Sequence, residues 1–241
     1  MSRKHPARSM SAARTDPPVV VTLQRARLRG LYAVTPDEPD TARLSAAVDA
    51  AIAGGASAVQ YRNKTATAAM RGQQAAALAR VCAARRVLFI VNDDTALARA
   101  VDADGVHLGE DDGNLAAARR VLGAGKLIGV SCYDDLDRAR AQAAAGADYV
   151  AFGSFFASRV KPHARRPDVT LLTRARDLGV PVVAIGGITA DHARSLATAG
   201  ADAVAVISAV FAHDDPAAIE RAAAAIAACF DVAPAARVGA A

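Results

Sequence analysis

The strongest constraint in this chain is an alternation that begins at Gly30, in which short apolar runs give way to Ala-rich stretches with helical spacing about eight times over. A strand followed by a helix, repeated, builds one parallel sheet covered by helices. Eight such pairs in 241 residues match an α/β fold of the (β/α)8 TIM-barrel type, which takes roughly 250 residues. The strands read as Leu31 to Val34, Ala58 to Arg62, Val87 to Val91, Gly105 to Leu108, Leu127 to Ser131, Tyr149 to Phe152, Val182 to Ile185 and Ala203 to Ile207. Helices begin near Thr41, Thr67, Thr95, Asn114, Asp134, Val169, Asp191 and Pro216. An open doubly wound sheet is the alternative, since periodicity does not carry strand order.

An internal echo supports the count. Ala53-Gly54-Gly55-Ala56, Ala145-Gly146-Ala147-Asp148 and Ala199-Gly200-Ala201-Asp202 each stop a helix and open a strand. Glycine suits the left-handed residue after a helix, so these positions are structural.

With 53% hydrophobic residues the chain can bury one large core, and a single barrel domain is expected over residues 28–231. Residues 1–27 are expected to form a basic, disordered arm, and residues 232–241 a frayed tail. The formal charge of +5 is a property of the leader: seven Arg or Lys against Asp16 in residues 1–30 give +6, leaving the remainder about neutral. No basic surface or aromatic platform for nucleic acid is indicated. No apolar run is long enough for a membrane span. Three widely spaced cysteines, Cys82, Cys132 and Cys229, fit free thiols in a reducing cytoplasm.

In a parallel barrel the C-terminal ends of the strands share one mouth, and ligands bind there. The run Val87 to Val91 is apolar without alternation, as a strand covered on both faces should be, and it ends in Asn92-Asp93-Asp94. Those residues are candidates for chemistry, although Asp94 or Thr95 can also cap the following helix. Strand two ends in Gln60-Tyr61-Arg62-Asn63-Lys64, and alternation sends Gln60, Arg62 and Lys64 the same way. A solvated charge run is the competing reading. Strand four is followed by Glu110-Asp111-Asp112, which brings acid beside Asp93 or simply forms an acidic first helical turn. Carboxylates of this kind suit Mg2+ held together with substrate phosphates. Paired carboxylates for acid–base work are the alternative, but the nearby Arg62 and Lys64 favour ionised groups. A metal-held carboxylate set facing cations makes a receptor for a diphosphate.

Strand seven ends in Gly186-Gly187 and strand eight in Ile207-Ser208. The loops after these two strands commonly bind phosphate through backbone N–H groups. The remaining candidates are weaker. Cys132 lacks evident partners for a nucleophile, His107 reads as a satisfied interior histidine, and the long basic loop Gly153 to Pro167 is either an anion-binding lid using Lys161 or a solvated connection.

Taken in order, Gln60 to Lys64, Val91-Asn92-Asp93, Asp104 to Gly109 with Asp112, Gly129-Val130-Ser131, Gly153 to Lys161, Ile185 to Thr189 and Val206 to Ser208 resemble thiamine phosphate synthase over nearly all of residues 28–230. The resemblance implies a (β/α)8 barrel that joins an aminopyrimidine bearing a CH2-diphosphate to a thiazole phosphate, giving thiamine phosphate and pyrophosphate, by way of a pyrimidine carbocation. It implies that Gln60, Arg62, Lys64, Asn92, Ser131 and Lys161 contact the pyrimidine diphosphate and that Asp93 and Asp112 hold Mg2+. It also implies that Ser158, Gly187, Ile207 and Ser208 contact the thiazole phosphate. The chain departs from the family at Val160, where the family usually carries a second hydroxyl beside the one at Ser158. Two other readings remain at this point. Related thiazole tautomerases use a histidine where this chain has Tyr133, and a barrel without catalysis would keep the phosphate sites alone.

Overall fold

The computed structural model describes residues 18–109, 114–157 and 166–231. Eight strands, β1 (Gly30–Val34), β2 (Ala56–Tyr61), β3 (Leu88–Asn92), β4 (Gly105–Leu108), β5 (Leu127–Tyr133), β6 (Tyr149–Phe152), β7 (Val182–Ile185) and β8 (Ala203–Val206), form a closed parallel barrel in sequence order. β8 pairs back onto β1, with Gly30 opposite Ala203, which excludes the open sheet. The helices among the described residues are α1 (Val19–Arg27), α2 (Thr41–Ala53), α3 (Ala68–Arg85), α4 (Thr95–Ala100), α5 (Leu115–Leu122), α6 (Leu136–Ala144), α7 (Thr170–Arg174), α8 (Ala190–Ala199), α9 (Ser208–Phe211) and α10 (Pro216–Ala227).

Helix starts follow local chemistry. Asp40, Thr67, Asp94, Asn114, Asp135 and Asp215 each accept a hydrogen bond from a backbone N–H in the first turn of the helix that follows, satisfying donors that a helix leaves open. Asp94 is therefore a cap. Helix stops follow the glycine pattern, with Gly55, Gly146 and Gly200 at φ +97°, +100° and +122°.

Strand alternation sorts the residues into layers. Tyr32, Ala58, Leu88, Ile90, Leu127, Tyr149, Val183 and Ala203 fill the barrel interior, whereas Leu31, Val59, Phe89, Val106, Ile128 and Val150 pack outward under the helices. The interior is too narrow for a side chain at every position. Gly129 faces the ring of Tyr149, and a Cβ there would sit 1.9 Å from Cζ.

The bottom of the barrel is tied by three aspartates that stand directly before β4, β6 and β8, two of them, Asp148 and Asp202, from the repeated helix-stop motif. Asp104, Asp148 and Asp202 donate their N–H to the carbonyls of Phe89, Ile128 and Val182 and accept those same residues' N–H groups on their carboxylates. The disordered arm expected through residue 27 is corrected here for its last nine residues, which form α1. Val21 of α1 and Leu28 close the interior from below, Gln24 donates to Asp104 at 3.1 Å, and Arg25 pairs with the buried Asp148 at 2.6 Å, opposite Arg119. The sequence shows no apolar face here because Val19, Val20 and Leu23 are exposed; one valine and polar contacts from Gln24, Arg25 and Arg27 hold the helix. No described helix is long and apolar enough to cross a membrane.

Removing residues 1–27 should therefore cost about 3 kcal/mol, from one buried valine and a broken buried ion pair. That corresponds to a melting temperature lower by roughly 6–12 °C. An unchanged melting temperature by calorimetry would mean that α1 contributes nothing to the fold.

Candidate active site

The C-terminal ends of the strands surround a cavity of about 680 Å3, a size suited to small-molecule ligands. From β2 and the residues after it, Gln60, Arg62 and Lys64 all line it, as alternation requires. A neighbouring loop holds this segment in place. The buried Thr35 hydroxyl donates to the Arg62 carbonyl and accepts the Arg62 N–H, both at 2.8 Å. Asp37 accepts the Lys64 N–H at 2.7 Å and lies 3.6 Å from the Arg62 guanidinium. On the far side, Asn63 is buried against Gln74 and the Glu38 carbonyl, and Gln74 also accepts from the Tyr61 hydroxyl. Burial pushes that phenol up to about 12, so Tyr61 is a structural donor.

At the end of β3, Asn92 and Asp93 face the same cavity. Asp93 has φ +62°, a left-handed conformation that costs a residue with a side chain about 1–3 kcal/mol. Two bonds fix it there: its N–H donates to the His107 carbonyl at 2.8 Å, and its carboxylate accepts from Asn92 Nδ2 at 2.5 Å. Glu110, Asp111 and Asp112 lie outside the described residues. Among those described, no cluster of three His, Cys, Asp or Glu forms a metal cage.

Ser131, on β5, lines the cavity and accepts or donates at His107 Nε2, 3.0 Å away. The neighbouring Cys132 points outward into the helix layer, and burial pushes its thiol up to about 12. It is not a nucleophile. β5 ends at Tyr133, which lines the mouth at φ +52°. Arg138 of α6 also reaches the cavity and donates from Nε to the Ser131 carbonyl at 3.0 Å.

The opposite wall is backbone and glycine. Gly187, Ile207 and Ser208 line the cavity, joined by Gly186 and Ala209. The chain after β6 lies directly on the glycines, with Phe155 N–H donating to the Ile185 carbonyl and Phe156 N–H to the Gly186 carbonyl. Phe156 then stacks on His192 at 3.7 Å between ring centroids. Ser158, Val160 and Lys161 follow this segment and lie outside the described residues.

Comparison with known proteins agrees with this geometry. Residues 31–210 match the family model described as thiamine monophosphate synthase. The chain belongs to the thiamine monophosphate synthase family. Among its relatives, the thiamine-phosphate synthase of Chromobacterium violaceum is 58% identical over 196 residues, covering 81% of this chain and 95% of the relative. That of an Azoarcus species is 58% identical over 191 residues, covering 79% and 93%. A solved structure, the thiamine phosphate pyrophosphorylase from Pyrococcus furiosus, superposes with a TM-score of 0.75 at 32% identity, over 86% of this chain and 97% of that one.

The structure thus brings nine of the expected site residues of this thiamine monophosphate synthase family member to one cavity: Gln60, Arg62, Lys64, Asn92, Asp93, Ser131, Gly187, Ile207 and Ser208. Sequence reading missed Thr35, Asp37 and Arg138. The first two stand directly after β1, where the rule applied to the other strand ends would have found them.

Gly187 has φ +63°, and a Cβ there would lie 2.3 Å from the Ala157 carbonyl oxygen. Gly187→Ala should therefore cost about 2–4 kcal/mol through overpacking and a left-handed alanine. A urea midpoint equal to that of the parent would show that this wall is soft.

Proposed function

We propose that this chain transfers the pyrimidine CH2 group from its diphosphate to the ring nitrogen of thiazole phosphate, releasing pyrophosphate and giving thiamine phosphate. The supporting observation is that one cavity carries two separate anion-facing walls: Arg62 and Lys64 beside Asn92 and Asp93, and Gly186-Gly187 with Ser208 across from them. Each phosphorylated substrate has its own wall, and the reacting atoms meet between them.

The chemistry needs no protein nucleophile. The carbon–oxygen bond to the diphosphate breaks as negative charge gathers on the leaving group, and Arg62 and Lys64 stabilise that charge where it develops. Backbone N–H groups at Gly187, Ser208 and Ala209 anchor the thiazole phosphate, so that its nitrogen is held in line with the electron-poor carbon. Lys161 would add a third cation and Ser158 a phosphate hydroxyl, by resemblance to the family. Mg2+ is the cofactor we assign, held by Asp93 and Asp112. The fit rests on Asp93, a hard oxygen donor fixed toward the mouth, since Mg2+ keeps most of its water and takes one or two carboxylates with substrate phosphate. When bound, it neutralises diphosphate charge. Three buried free cysteines suit a reducing cytoplasm.

The test is to incubate the full chain with both substrates, with and without Mg2+, and to measure thiamine phosphate and pyrophosphate. Asp93→Ala should lower turnover by at least about 100-fold; full activity in excess chelator would remove the metal from the scheme.

A second measurement concerns Val160. A hydroxyl bonding a charged phosphate is worth about 1.5–3 kcal/mol, or roughly 10- to 100-fold in binding, and valine cannot supply it. Val160→Thr should lower KM for the thiazole phosphate several-fold and leave that for the pyrimidine diphosphate unchanged. If neither KM moves, residue 160 does not serve the phosphate.

A further inference from the structure

At the cavity floor, five side chains from five strands, four of them lining the cavity, form an unbroken polar line across the barrel. Gln60 Nε2 donates to Tyr32 Oη at 2.9 Å, Tyr32 Oη lies 2.9 Å from Tyr149 Oη, Tyr149 Oη lies 3.1 Å from His107 Nδ1, and His107 Nε2 lies 3.0 Å from Ser131 Oγ. Tyr32 and Tyr149 are buried, and His107 stacks on Tyr149 at 5.5 Å between ring centroids. Such a line in the middle of a barrel is expensive unless every proton finds an acceptor.

Proton counting sets its direction. A phenol has one proton, and burial raises both tyrosines well above their ordinary range, so each keeps it. Tyr32 accepts from the Gln60 amide; the 2.9 Å contact with Tyr149 Oη permits either direction, and an acceptor for the Tyr32 proton exists only if Tyr32 is the donor there. Tyr149 must then donate onward to His107 Nδ1, which requires a bare nitrogen there and places the imidazole proton on Nε2. Ser131 Oγ receives that proton and keeps its own hydroxyl proton free to donate into the cavity.

We infer that Gln60, Tyr32, Tyr149 and His107 form a one-way relay that turns Ser131 into a committed hydrogen-bond donor toward the substrate's diphosphate. Tyr32, Tyr149 and His107 are thus positioning residues for the leaving-group wall. The inference rests on the proposed function for the identity of the acceptor, but not for the direction of the line. The reverse order, with the Gln60 amide turned over, would spend the Ser131 proton on His107 and present only lone pairs to an anion.

Two measurements on the full chain test this. In long-range 1H–15N NMR of 15N-labelled protein, with the His107 signals assigned by their loss in His107→Gln, the imidazole should be neutral with its proton on Nε2. A proton on Nδ1, or an imidazolium at neutral pH, would overturn the relay even if the protein proved to have no synthase activity. In kinetics, Gln can place an amide N–H where Nε2–H stood, whereas Asn reaches only the place of Nδ1. His107→Asn should lower kcat about 30-fold and His107→Gln less than about 5-fold, with KM for the thiazole phosphate unchanged in both. Equal losses in the two variants would make His107 a packing residue and overturn the proposal.

Discussion

Closure of the sheet between β1 and β8 is the constraint on which the rest depends. Once the ladder returns to its first strand, no edge is left to pair elsewhere, and all eight strand ends converge on one mouth. The same closure makes the interior a fixed volume that only small or well-matched side chains can share. Ala58, Ala151, Ala203 and Ala205 inside, and Gly129 ceding its Cβ space to Tyr149, are the consequence.

The two ends of that barrel differ in their ties. At the bottom, Asp104, Asp148 and Asp202 each make a two-point bond with the strand before, and α1 is bolted to two of them. At the top, Asp93 and Tyr133 hold left-handed backbone, as Arg86 and Asp102 do at the bottom, a cost of about 1–3 kcal/mol each. The aspartate ties lie at the end of the barrel away from the cavity where Arg62, Lys64 and Asp93 converge.

Most of this was legible in the sequence because its carriers are local. Short apolar runs and the Ala-rich stretches between them located the strands and helices, and polar groups at the ends of those runs located Arg62, Lys64, Asn92 and Asp93. The failures have two causes. α1 has a single buried valine, and it is held by Gln24 and Arg25 through contacts 80 and 123 residues away; no window of sequence contains such a pair. Thr35 and Asp37 are within reach of the strand-end rule, and what the sequence does not carry is their contact with Arg62 and Lys64 after the next strand. The family resemblance chose between readings that local pattern left open for Lys161 and Asp112, and it alone suggested roles for Ser158 and the position of Val160.

His107 shows why a correct local reading can still be incomplete. Taken alone it is a satisfied interior histidine, and the structure agrees. Satisfaction, however, is directional: two partners fix which nitrogen carries the proton, and the tautomer then decides what Ser131 can offer the cavity. An apolar layer of the same volume would be cheaper to bury, since a half-satisfied polar network is worse than none. What the polar layer provides instead is transmission. A donor on β2 sets the donor on β5 through Tyr32, Tyr149 and His107, of which Tyr149 alone stands back from the cavity lining.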